Sequence, residues 1–157
     1  MKKSILLSLL SVSFLISCSK NDDNTPSTPV PSIVGKWDLK AKMVGTTAVA
    51  LYPCEEQYNQ FEFFSNLTYV EDEGYTNNGT SCTHYTFSNS YSISNNNLII
   101  NDDDGIVQTE SHLKIIELTQ TKLKLKLFYI KEKQNGVVTS EENIPENQQR
   151  TTSFDKI

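Results

Sequence analysis

From residue 37 the chain alternates. Trp37, Leu39, Ala41 and Met43 fall on one side, and Asp38, Lys40 and Lys42 on the other. A period of two belongs to a strand with one face in a core and one in water. The pattern returns along the chain. Residues 57–64 align Phe61 with Phe63, and 67–72 follow across Ser65-Asn66 as a hairpin. Tyr85 aligns with Phe87 over 83–87, Tyr91 with Ile93 over 89–94, and Leu98 opens a short strand over 98–101. Residues 106–118 are strand-like, and Leu123, Leu125, Leu127 and Tyr129 then oppose Lys124, Lys126 and Phe128. Residues 150–157 read as a last strand.

Turn chemistry separates nearly all of these segments. Gly45 and Pro53 mark one loop, and residues 73–81, with Gly74 and Asn77-Asn78-Gly79, mark another. Asn95-Asn96-Asn97 reads as a turn because asparagine tolerates positive φ. Asn135-Gly136 suits a type I′ hairpin. Thr119-Gln120-Thr121 turns as well, and residues 141–149 form a polar connection. No window of 12 residues carries a capped 3.6-residue period. Eight or nine short strands joined by hairpins predict an all-β, up-and-down antiparallel meander barrel of about eight strands. Closure removes the edges that invite aggregation. The expected interior draws on Trp37, Leu39, Met43, Phe61, Phe63, Tyr85, Tyr91, Ile93, Leu98, Leu123, Leu125, Leu127 and Tyr129. Either these side chains meet and fill the barrel, or they line an apolar pocket.

Residues 1–17 have a different character. Lys2 and Lys3 precede an apolar run over 5–16, too short for a standard membrane span, ending in Leu15-Ile16-Ser17-Cys18. That ending resembles the bacterial lipobox, which implies cleavage before Cys18 and acylation of its thiol and new N-terminus. Acyl chains at Cys18 would hold the protein on a membrane at about 0.8 kcal/mol per buried CH₂. Ser19 after the cysteine implies the outer membrane by resemblance to Gram-negative sorting. Lys20-Asn21-Asp22-Asp23 resembles a surface-export tag, so the exposed and periplasmic faces both stay open. Residues 18–32 hold three prolines and read as lipidated cysteine plus an extended tether, reaching roughly 40 Å. The folded domain is then 33–157.

The chain carries a formal charge of −5, and −7 without Lys2 and Lys3 (12 basic against 19 acidic residues). With one arginine and no basic cluster, it offers no footing for nucleic acid. Cys54 and Cys82, an even pair in an exported chain, predict a disulfide. Closing a loop of 28 residues is worth roughly 3–4 kcal/mol. His84 and His112 lack the converging partners zinc requires and read as exposed strand histidines, their role open. Asp102-Asp103-Asp104-Gly105 lacks the alternating ligands of a calcium loop and reads as a turn. No nucleophile elbow, phosphate loop or His-Glu-x-x-His is present, so neither an enzyme, a metal nor a cofactor is expected. The carboxylates of 55–56, 71–73 and 141–142 read as a solvated surface.

The ordered set Gly35-x-Trp37-x-Leu39, Cys54, Phe61/Phe63, Asn66-Leu67-Thr68, Cys82, Tyr91-x-Ile93 and Leu98-x-Ile100 resembles the lipocalin-like domain of small Bacteroidetes lipoproteins. The Thr-Asp-Tyr motif of true lipocalins and their C-terminal helix are missing. The resemblance implies a barrel that holds a small hydrophobic ligand, and the chain is expected to be a monomer. It also implies a late arginine across the tryptophan: either Arg150 packs on Trp37 and closes the barrel base, or it is a solvated loop residue. The other reading is an envelope structural or protein-interaction module with a filled barrel. It would meet a protein partner through the loops 44–56, 73–82 and 131–149.

Overall fold

Nearly every alternating segment becomes a strand in the computed structural model, which describes residues 31–77 and 81–157. The strands are β1 (Gly35–Val44), β2 (Thr47–Val49), β3 (Gln60–Phe63), β4 (Thr68–Asn77), β5 (Ser81–Ser94), β6 (Asn97–Asp103), β7 (Val107–Leu118), β8 (Lys122–Gln134), β9 (Val137–Asn143) and β10 (Arg150–Lys156). One helix, α1 (Pro53–Tyr58), and one 3-10 turn (Glu146–Gln148) interrupt them. The export segment, Cys18 and the tether up to residue 30 lie outside the described residues.

Neighbours pair antiparallel in the order β10, β1, β3, β4, β5, β6, β7, β8, β9, and β10 also pairs with β8. That second pairing closes β1, β3 to β8 and β10 into an eight-stranded barrel, the up-and-down meander expected. The hairpin chemistry works as read. Asn95 and Asn96 hold φ of 48° and 67°, and Asn135 and Gly136 hold 52° and 78°, the left-handed pairs a type I′ turn demands.

Bulges in β1 and β8 change which of the expected side chains face inward. Leu39 pairs with Phe154, but Ala41 pairs with Ser153, so Lys40 is one residue too many for β10. An extra residue shifts the alternation by one. Beyond Lys40, Lys42 therefore turns into the barrel opposite Thr152, and Ala41 and Met43 turn out. The same happens in β8. Leu127 pairs with Leu113 and Tyr129 with His112, leaving Phe128 as the extra residue and Tyr129 on the outer face. Met43 and Tyr129 are thus corrections to the expected interior. Simple alternation placed them inside because it cannot register a bulge.

Residues 53–58 fold as a helix where the sequence suggested loop and strand. Pro53 starts it, where a missing N–H costs nothing. Glu55 Oε2 accepts the Tyr52 N–H at 2.9 Å. The helix packs on β4 so closely that a Cβ on Gly74 would lie 2.2 Å from the Cys54 carbonyl oxygen. A Cys54–Cys82 disulfide fastens it to β5, and Tyr58 stacks on His84 at 4.8 Å.

β4 and β5 outrun their other neighbours. β3 reaches only Asp72 and β6 only Ser90, so the rest of the pair projects from the barrel as a two-stranded ribbon. The segments over 73–77 and 81–82, expected as loop, are the strands of this ribbon. Where β10 leaves β8, β9 pairs along β8 as an outer strand while β7 stays paired to β8 as far as Gln134, and β9 takes in part of the polar 141–149 connection.

Candidate functional site

One half of the barrel is filled. Trp37, Phe63, Tyr69, Leu98 and Leu123 are almost wholly buried there, with Tyr91 and Ile115 beside them. The Trp37 indole N–H donates to the Ile33 carbonyl at 2.6 Å, which draws Ile33 into the same end. The other half is hollow. Leu39, Phe61, Ile100, Leu113, Leu125, Leu127 and Phe154 form the apolar lining of a cavity of about 220 Å³. Of the thirteen expected interior residues, Leu39, Phe61, Leu125 and Leu127 line this space, and Trp37, Phe63, Tyr91, Leu98 and Leu123 lie in the filled half.

Two more expectations need correcting. Tyr85 has the inward parity but sits on the projecting ribbon, and it is 57% exposed. Ile93 also has the inward parity, but it lies where β5 runs into the Asn95–Asn96 turn, and it is 46% exposed.

The rim and upper wall are charged. Lys42, turned inward by its bulge, pairs with Glu55 of α1. Burial works against the Glu55 carboxylate, but Lys42 and the Tyr52 N–H outweigh it and hold that carboxyl below its usual range. Across the barrel stand Glu71 and Glu73 of β4 and Asp102 of β6. Asp102 accepts the Tyr69 hydroxyl and, at 3.1 Å, the Asn89 amide. Burial and the Asp102 carboxylate push the Tyr69 phenol far above its ordinary value. Glu71 makes no side-chain hydrogen bond or ion pair. Burial, then Glu73 and Asp102, push its carboxyl up to about 8.

Several of these groups were readable as something else. The sequence reads residues 71–73 as wet surface, yet the hairpin register sets Glu71 opposite Phe61, whose ring is inside, while Glu73 is exposed at the mouth. Asp102 stood in an apparent turn, yet it continues the inward series Leu98, Ile100. The turn itself starts later: the Asp104 carboxylate accepts the N–H groups of Ile106 and Val107 at 2.8 and 2.7 Å.

Arg150 does not reach Trp37. It pairs with Val44 at one end of β10, while Trp37 pairs with Lys156 at the other, six residues away. A different cation, Lys156, lies over Trp37, its Nζ 5.1 Å from the ring centroid, and Arg150 lines the cavity mouth. His84 is exposed. His112 sits on the outer face, its Nε2 2.6 Å from Glu110 Oε1. Among the described residues no three His, Cys, Asp or Glu side chains converge on a common metal position.

The profile of the lipocalin-like domain matches residues 33–125, more than half of the chain. The chain belongs to the lipocalin-like domain family. No curated protein and no solved structure matches it. The match stops at Leu125, so β9, β10 and most of β8 extend beyond it. In this lipocalin-like domain the barrel nevertheless closes through β10, whose Phe154 and Thr152 complete the cavity wall.

Proposed function

We propose that this lipocalin-like domain is an exported binding module, not an enzyme, held as a monomer on the outer membrane by acyl chains at Cys18. It carries a small ligand with an apolar part in the hollow half of its barrel. The observation behind this reading is the cavity of about 220 Å³, apolar below and charged at the mouth. That is under the roughly 300–1,000 Å³ of drug-sized pockets, which limits the ligand to a small molecule. The anchor reading rests on the Leu15-Ile16-Ser17-Cys18 ending and the proline-rich tether behind it.

Native mass spectrometry of the oxidised chain from residue 19 onward tests the ligand. The expected result is a reproducible adduct of low mass, present on isolation or after incubation with extracts of the producing cell. A bare polypeptide mass under both conditions overturns the reading. For the anchor, Cys18→Ser should move the protein from the membrane to the soluble fraction, and an unchanged distribution would contradict it.

A second reading, an envelope protein-interaction module, draws on the projecting β4–β5 ribbon and the outer strand β9. Tyr85 and Phe87 are exposed on one of them, and Val137 and Val138 on the other. A stable partner in crosslinked envelopes, lost when the β4–β5 ribbon is substituted but not when the cavity is filled, would favour it.

A further inference from the structure

The cavity is apolar on one side and acidic on the other, and the acidic side is not balanced from within. Glu55, Glu71, Glu73 and Asp102 line it against Lys42 and Arg150. Lys42 is taken up by Glu55. Arg150 stands on β10, across the barrel from β4 and β6. Glu71 is left without a side-chain partner, in a space that also holds the rings of Phe61 and Phe154.

A second observation lies directly above. The Glu71–Glu73 wall runs up into the aromatic face of the ribbon. Phe87 pairs with Glu71 and Tyr85 with Glu73, and the Tyr75 and Tyr85 rings stack at 4.9 Å. Tyr85 and Phe87 are exposed although each belongs to the inward-facing series. Ring faces attract cations, best when the cation is desolvated. Carboxylates beneath rings over an apolar floor complement one kind of molecule.

We propose that the cavity takes a small organic cation, an ammonium on a short apolar body, with the body among Phe61, Leu125 and Leu127 and the charge at Glu71 under the aromatic ribbon. This rests on the reading of the barrel as a ligand carrier and names the class of ligand. The space holds roughly seven water-sized groups at about 30 Å³ each. A bare divalent ion lacks a cage, because the carboxylates do not converge.

Binding then couples to a proton. Glu71 is faced by Glu73 on its own strand, Asp102 with the Tyr69 hydroxyl from β6 and β4, and Lys42, Glu55 and Arg150 from β1, α1 and β10. With its carboxyl up at about 8, Glu71 holds its proton at neutral pH and gives it up to solvent when a cation arrives.

The probes are hexylammonium, hexanol and hexanoate, alike in apolar length and differing in charge. An alkylammonium stays charged to about pH 10, as lysine does. Calorimetric titrations at about pH 7 and about pH 9 should show hexylammonium binding about tenfold or more tighter than hexanol, with the margin growing at the higher pH. At about pH 7 the heat should vary with the buffer's ionisation enthalpy, the signature of proton release. Glu71→Gln should abolish the preference and the pH dependence and leave hexanol unchanged. Hexanol or hexanoate binding as tightly as hexylammonium overturns the cation and leaves the carrier reading standing. So does an undiminished preference in Glu71→Gln. Binding of none of the three overturns both. The wild-type comparison decides even if the variant does not fold.

Discussion

Leu67 sits in the β3–β4 turn with φ of 67° and its side chain 53% exposed. A leucine held left-handed costs about 1–2 kcal/mol, because its Cβ crowds the following carbonyl. Leu67→Gly should therefore raise stability by about 0.5–1 kcal/mol in denaturant unfolding, after the entropy that glycine adds to the unfolded chain. Glu71 strains the fold through charge. Its carboxyl is raised from 4.5 to about 8, so the folded protein keeps a proton that the unfolded chain has already lost in that window. The Glu71 contribution is fully present below about pH 4.5 and is lost as pH rises through about 8. Glu71→Gln should flatten that decline and unfold several degrees above the wild type at about pH 9. Equal melting temperatures at alkaline pH would remove the charge effect.

At the scale of elements, β10 separates two cations that are easily confused. Lys156→Ala should lower stability by about 0.5–1 kcal/mol through the lost contact with Trp37, and Arg150→Ala should leave it unchanged. The helix makes a sharper case. Gly74→Ala would drive a methyl into the Cys54 carbonyl, and the backbone of α1 cannot retreat while the disulfide holds it. A loss of about 2 kcal/mol or more is expected in thermal or chemical unfolding. Reducing Cys54–Cys82 should cost about 3–4 kcal/mol through the reopened loop, and it should loosen the ribbon before the barrel.

The elements also show what the sequence could and could not disclose. Strands, hairpins and closure were legible because alternation and Asn or Gly turns are local signals. The six residues of α1 were too few to carry a helical period, and only Pro53 and the following glutamates hinted at them. The bulges at Lys40 and Phe128 were invisible. A bulge is defined by what the neighbouring strand lacks, and that partner lies more than 100 residues away for Lys40. The wrong inward set at Met43 and Tyr129, and the missed Lys42, follow from that one fact. Glu71 was misassigned for a different reason: a carboxylate on an alternating strand is ordinarily the wet side.

As a whole molecule, the domain divides into a dry end and an open end. Trp37, Phe63, Tyr69 and Tyr91 pack one half solidly, and the aromatic contacts among the last three hold it rigid. The open half trades packing for space, and it places charges where a core would carry methyl groups. A side chain large enough to occupy that space should therefore be tolerated. Leu127→Phe should keep or raise the melting temperature while abolishing ligand uptake. A severe loss of stability would mean that the half is already full.

The most direct test of a hollow barrel with an unpaired acid inside is the titration of Glu71 itself, followed by its carboxyl carbon resonance in the oxidised protein. The expected midpoint is about 8, falling when hexylammonium is added. A midpoint in the ordinary range of a glutamate in water, unmoved by the amine, would place this carboxylate outside any cavity and contradict the site.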